Sequence, residues 1–281
     1  MAWGPQFVVA DALDIGAVMT ALQNAKPEIV VHELTAIPEH LNFRRFDREF
    51  ELTNRLRTEG TDNLLAAACK AGARRFLAQS YAGWPYARQG GPVKSEEDPL
   101  DPNPPSAMRR SFEAIRYLES AVIGGQGVEG IVLRYGAFYG PGTAFGKGGS
   151  VFEDIRRRRF PIIGGGGGIW SFIHIDDAVH ATLAAIERGA PGVYNITDDE
   201  PAPVSEWLPA LAAAIEAPAP RRVPKFVGRL AVGEHGVMLM TEIRGASNAK
   251  AKRELRWKPL WPSWREGFWR GLSEPLVAPE G

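Results

Sequence analysis

Five consecutive glycines, Gly164 to Gly168, lie in the stretch FPIIGGGGGIWSFIHIDDAVHA. A glycine-rich run can bring backbone N–H groups against a phosphate, but a phosphate loop comes after a strand and opens directly into a helix. These glycines lead instead into IWSFIHI, a strand-like segment, and the next helix is expected to begin at Asp176 and Asp177, acids suited to cap it. The run is therefore expected to be a turn. The same stretch gathers His174, Asp176, Asp177 and His180, a metal-ligating composition that strand packing and helix capping account for without a metal. HELTAIPEH lacks the H-E-x-x-H spacing, so no metal site is expected. Cys69, the single cysteine, lies in LLAAACKAG and reads as a packed core thiol rather than a nucleophile. The basic run Arg156 to Arg159 is expected to be a solvated helix face.

The elements that must position these residues alternate along the chain. FVVA, EIVVHEL, RRFLAQS, EGIVLRY and GVYNI read as strands. Between them ALDIGAVMTALQNA, FDREFELTNRLRTEGTDNLLAAACKAG and SAMRRSFEAIRYLESAVIG return apolar residues every three or four positions, as crossover helices do. The proline-rich, acidic loop KSEEDPLDPNPPSAM is expected to run over the surface beside a site. The alternation predicts an α/β fold with a parallel sheet. After residue 200 the alternation weakens, and Trp257, Trp261, Trp264 and Trp269 read as a helical lid whose rings are expected to pack rather than to stack on a ligand.

Composition narrows the partners. The 281 residues are 44% hydrophobic and 23% charged, and 33 basic residues balance 33 acidic ones, so nothing draws the chain to nucleic acid or to an anionic membrane. No apolar run reaches the length of a bilayer span and MAWGPQF is no signal peptide, which with one cysteine favours the cytoplasm. A small-molecule substrate is the expected partner, and a homodimer is left open.

GIVLRYGAFYGPGT resembles the R-P-x-x-x-Y-G-P-G segment of the extended short-chain dehydrogenase/reductases, the NAD-dependent epimerases and dehydratases. WSFIHIDDAVHATLAAIERGAPGVYNITDDEP is similar to their R-x-F-V-H-V-x-D and V-Y-N-V segments. EGTDNLLAAACKAGARRFLAQS resembles their G-T-x-N-L-L helix and the strand after it, and SNAKAKRELRWKP their C-terminal element. The resemblance covers nearly the whole chain in order. It implies a Rossmann-type parallel sheet over residues 1–200, with part of a substrate lobe inserted at about 141–168 and the rest at 201–281. FVVADALD resembles the family's third strand, so the first βαβ unit with its G-x-x-G-x-x-G turn is expected to be missing, through a late start or a genuine loss.

For the cofactor, NAD or NADP held weakly, the resemblance implies Asp11 near the adenine, Leu34 and Thr35 in the turn passing the cofactor, and Tyr135 and Gly136 beside the nicotinamide. Asp11 could instead cap the next helix. Glu33 departs from the family pattern, and Arg57 stands where an asparagine is usual. The family's catalytic tyrosine and lysine fall on Ser111 and Ile115, which cannot do that chemistry. Tyr117, on the same helix, is taken as packing. The candidate hydroxyls are Ser80, Tyr81 and Tyr86 in FLAQSYAGWPY, with Arg109 and Arg110 as the cations a phenol base would need. Trp170 replaces an arginine that grips the diphosphate of nucleotide sugars, so an apolar or aromatic substrate is expected. The implied activity is an NAD(P)-dependent oxidoreductase or epimerase/dehydratase of atypical chemistry. The alternatives are a non-catalytic binder on an eroded reductase scaffold and a non-redox lyase or cyclase.

Overall fold

Four parallel strands form the central sheet in the computed structural model, which describes residues 6–38 and 43–273. They are β1 (Ile29–His32), β2 (Arg75–Tyr81), β3 (Glu129–Tyr135) and β4 (Gly192–Ile196), side by side in that order. Val30 lies opposite Phe76, Leu77 opposite Ile131, and Leu133 opposite Tyr194. Parallel neighbours need long crossovers, and helices supply them. These are α2 (Thr61–Ala71), α3 (Arg109–Gly124) and α4 (Ile175–Arg188), while α1 (Ile15–Ala25) precedes β1.

Strand side chains alternate between faces, and the two faces bury different helices. Phe76, Ala78 and Val132 pack with Ala68 of α2 and with Leu118 and Val122 of α3. Leu77, Ile131, Leu133 and Tyr135 pack with Ala178, Ala181 and Ala185 of α4, whose small side chains let the helix lie close. Asp14 caps α1 by accepting from the N–H groups of Gly16 and Ala17, and Gly72 ends α2 in the left-handed conformation at φ 78°.

FVVA is not a strand. Phe7, Val8 and Val9 are exposed and have no strand beside them among the described residues, so β-propensity finds no hydrogen-bonding partner. Cys69 is exposed rather than in the core: it lies on the outer side of α2, where Sγ donates to the Gln126 carbonyl at 3.1 Å. Tyr117 is likewise 44% exposed, with its hydroxyl donating to Asp62 at 2.6 Å. The proline-rich loop is only partly superficial, since Lys94, Asp101 and Met108 are buried within it.

The helix after the glycines begins one residue earlier than expected. His174 is the N-cap, its Nδ1 accepting from the Asp176 N–H at 3.2 Å. Asp177 is instead buried and accepts the N–H groups of Leu260 and Trp261 at 2.6 and 2.9 Å. The glycine run is a turn, as expected. The N–H groups of Gly164, Gly166 and Gly168 donate to Val223, Ile163 and Met240, so none of the three is available to a phosphate. Arg156 to Arg159 are exposed, and Arg156 and Arg157 pair with Glu153.

Beyond the sheet, α5 (Val204–Ala214) and α6 (Lys225–Thr241) build a second core with the C-terminal residues. Trp207, Leu208 and Leu211 pack there with Phe172, Trp264 and Phe268. Trp257, Trp261 and Trp264 are buried as packing predicts, whereas Trp269 is exposed. No described helix is long and apolar enough to cross a membrane.

Candidate active site

The carboxyl ends of parallel strands are where open α/β sheets bind ligands, because helix and loop walls diverge there. In this chain those ends are Tyr81, Tyr135 and the turn beginning at Glu33. A cavity of about 280 Å³ opens beside them. Phe46, Phe50, Trp84, Phe145, Phe160 and Trp170 are aromatic residues of its lining beyond the strand ends. Tyr135, Gly136, Ala137 and Phe138 also line it, together with Leu239 and Ile243.

The lining is almost wholly apolar, and its hydroxyls have different fates. Ser171 Oγ accepts the Ala246 N–H at 2.8 Å, and the Trp170 indole donates to the Leu239 carbonyl at 2.9 Å. Tyr135 bonds Thr182 at 2.6 Å. Tyr81 makes no side-chain hydrogen bond of good geometry among the described residues, and its ring packs on Trp84 with centroids 5.5 Å apart.

The cation beside Tyr81 is Arg57, in the π-helical turn Leu56–Gly60 that precedes α2. Its guanidinium carbon lies 5.1 Å from the Tyr81 ring centre and 5.8 Å from that of Phe50. Only 4% of Arg57 is exposed. Burial lowers its pKa, opposed by the nearby Tyr81 phenol. Nη1 donates to Asn54 Oδ1 at a long 3.3 Å, and Nη2 has no partner of good geometry. Arg109 and Arg110, expected to supply the charge, are exposed at the start of α3.

Ser80 and Tyr86 do not reach the cavity. Ser80 is adjacent to Tyr81 in a strand and so faces the other way, where its hydroxyl donates to Glu119 at 2.6 Å. Tyr86 is fully buried, donates to Asn195 at 2.7 Å and accepts from Arg134 at 2.8 Å. Burial pushes its phenol up to about 12, against any role as a base near neutrality. Arg134 completes this network through two bonds to Glu119, at 2.8 and 2.5 Å. Ser111 is also buried, donating to Asp47 at 2.7 Å, and Ile115 lies in the core.

Asp11 accepts the Leu13 N–H at 2.9 Å in an exposed turn, while Asp14 holds the cap position. Leu34 and Thr35 are exposed just past β1, with the Leu34 N–H donating to His32 Nδ1 at 3.3 Å. Gly136 is required by packing as well: a Cβ there would lie 2.8 Å from the Ser171 carbonyl oxygen. No cluster of metal-ligating side chains occurs among the described residues.

Glu33 has a role that its departure from the family pattern flags but does not define. Its carboxyl lies 3.4 Å from the Tyr135 hydroxyl, and burial raises its pKa to about 7. Thr182 donates to the Ala178 carbonyl at 2.7 Å, which makes Thr182 the acceptor of the single Tyr135 proton. A protonated Glu33 can then donate to Tyr135, and an ionised one cannot. These residues border a second recess of about 310 Å³ along α4.

A doubly covered parallel sheet with its cleft at the strand ends defines a Rossmann-type α/β protein. The chain belongs to the NAD dependent epimerase/dehydratase family, which it matches over residues 2–197. It is 44% identical over 266 residues to a 3-diazoavenalumate denitrifying reductase of a Streptomyces species, covering 94% of this chain and 86% of that one. It shares its fold with the UDP-glucose 4-epimerase of Thermotoga maritima, solved with UDP-glucose, at 23% identity and a TM-score of 0.72. That match covers 93% of this chain and 81% of the epimerase. A human epimerase family protein solved with NADPH matches at 18% identity and a TM-score of 0.70, over 91% and 95% of the two chains.

Proposed function

We propose that this chain is an NAD(P)H-dependent reductase that takes an apolar aromatic substrate, with reductive removal of dinitrogen from an aryl diazonium as the reaction it fits best. The observation that carries this reading is the aromatic cavity at the strand ends, which among the described residues has no side chain placed to grip a diphosphate. Trp170 is part of its packed wall, its indole committed to Leu239, so the position of the sugar-binding arginine is closed to a phosphate. The name of the 44% identical Streptomyces relative points to the same class of reaction.

The residues present fit the nicotinamide end of the cofactor. Tyr135, Gly136 and Ala137 offer a flat apolar surface where a ring can stack beside the aromatic cavity. No described strand opens through a glycine-rich turn into a helix, so the pyrophosphate end has no such holder among the described residues. When bound, a reduced nicotinamide supplies the hydride that replaces dinitrogen on the aromatic carbon, Ar–N2⁺ and hydride giving Ar–H and N2. No proton moves in that exchange. A chain with Ser111 and Ile115 in place of tyrosine and lysine can therefore support it, whereas epimerisation or dehydration needs a base. The walls formed by Phe50, Trp84, Phe145 and Trp170 desolvate the ring and exclude water, which would otherwise compete for the diazonium carbon.

The test incubates the purified protein with NADH or NADPH and a hydroxyaryl diazonium salt. Loss of nicotinamide absorbance and release of dinitrogen are monitored against the reaction without protein. Matched acceleration of both signals is the expected result. Equal rates with and without protein at millimolar cofactor would overturn the reductase reading, and aromatic binding without turnover would favour a non-catalytic binder.

A further inference from the structure

Arg57 is a buried cation with no carboxylate beside it among the ion pairs of the described residues. Such a charge is costly unless hydrogen bonds and nearby electron density compensate it. Here the compensation is the faces of Tyr81 and Phe50 and one long bond to Asn54, while Nη2 makes no good bond. The packed stack Phe50–Arg57–Tyr81 stands directly behind the cavity wall, since Phe50 and Tyr81 both line the cavity. A guanidinium only donates hydrogen bonds. It cannot accept the Tyr81 proton, and no other described residue accepts it.

We propose that Tyr81 is the substrate's hydrogen-bond donor, that Arg57 is the positioning residue fixing its phenol, and that the ligand therefore carries an aromatic oxygen, a phenolate or a conjugated carbonyl. This deepens the reading of an aromatic substrate and rests on it. Arg57 lies over the Tyr81 ring and carries only donors, so it offers the phenol hydrogen no acceptor and leaves it for the ligand. The positive charge behind the phenol also strengthens its donation to an anionic oxygen. The other hydroxyls of the described lining, on Ser171 and Tyr135, are bonded within the protein, so this donor sets the orientation of the ring. Arg57 stands where the resemblance places an asparagine, and Tyr81 is one of the hydroxyls that FLAQSYAGWPY offers.

The probes are 4-nitrophenolate and its neutral isostere 4-nitrotoluene, bound to the full chain. Donation to the phenolate oxygen shifts the nitrophenolate absorption band, which a purely structural role would not do. Wild-type protein is expected to bind nitrophenolate with a blue-shifted band. Tyr81→Phe is expected to abolish the shift and weaken binding about tenfold or more, as loss of a hydrogen bond to a charged group does. Arg57→Met is expected to do the same, to add nothing further in the Tyr81→Phe background, and to be partly rescued by Arg57→Lys. Binding of nitrotoluene is expected to be equal in all variants that retain the wild-type circular dichroism. Equal nitrophenolate binding and band position in wild type and Tyr81→Phe would overturn the proposal while leaving the aromatic cavity in place. Failure of both probes to bind would instead overturn the aromatic-substrate reading beneath it. Should Arg57→Met unfold, Arg57→Lys with a reduced blue shift and weaker nitrophenolate binding supports the proposal, and Arg57→Lys with the full wild-type band and affinity overturns the positioning role.

Discussion

At the scale of residues, Glu33 shows how a departure from a family pattern acquires meaning only in three dimensions. Its folded pKa of about 7 lies above the ordinary carboxylate value, with burial as the cause. A raised pKa gives stability that is complete below the unfolded value near 4.5 and lost as pH rises through 7. The residue is exposed along part of its surface, which moderates the size of the effect. Glu33→Gln keeps the shape and removes the titration. Its melting temperature is expected to match wild type near pH 4.5 and to exceed it at pH 8, as thermal unfolding across that range would measure. Parallel curves for the two proteins would show that Glu33 ionises freely. Tyr81 is legible in the sequence because it ends a strand, yet Ser80 and Tyr81 cannot be told apart until the sheet assigns each a face. Arg57 stands out in the sequence only as an unusual residue at a known position. Its contacts depend on Phe50, which is near in sequence, and on Tyr81, which is brought beside it by β2.

At the scale of elements, β3 and β4 match the sequence reading residue for residue, because a buried parallel strand is a continuous apolar run bounded by turns. FVVA has the same composition and forms no strand, since a strand is defined by its neighbour and not by its own residues. The start of α4 departs from expectation for a related reason: an imidazole can cap a helix as well as a carboxylate can, and Asp177 has a distant use that its local sequence does not reveal. The glycine run is legible as a turn from the strand-like residues after it, and the structure adds which glycines matter. Gly166 has φ 66°, and a Cβ there would meet Ser205 N at 2.9 Å and Ile162 Cγ2 at 2.7 Å. Gly165 faces open space. Gly166→Ala is therefore expected to cost about 1–3 kcal/mol, from strain and overpacking together. Gly165→Ala is expected to be within about 0.5 kcal/mol of wild type. Urea unfolding of both variants checks the contrast, and a similar loss in each would mean that the turn does not depend on its packing against Ser205.

At the scale of the whole molecule, the C-terminal chain is held to the sheet by carboxylates rather than by apolar contact alone. Asp177 at the start of α4 accepts the backbone N–H groups of Leu260 and Trp261, and Asp198 just past β4 accepts that of Trp264 at 2.9 Å. These bonds fix the backbone on both sides of Pro262, and so place Trp264 and Phe268 in the core that forms one side of the cavity's support. Replacing Asp177 by asparagine leaves one carbonyl to accept two N–H groups and turns an NH2 toward the other. The unsatisfied donors are buried, so Asp177→Asn is expected to cost about 1–3 kcal/mol. Each kcal/mol corresponds to a melting temperature lower by about 2–4 °C in a domain of this size. The loss should also be local before it is global, because segments tied by few bonds open independently of the sheet. Trypsin is accordingly expected to cleave after exposed Arg256 faster in Asp177→Asn than in wild type at a temperature where circular dichroism is unchanged. An unchanged cleavage rate together with an unchanged melting temperature would mean that the buried tryptophans hold this segment without Asp177.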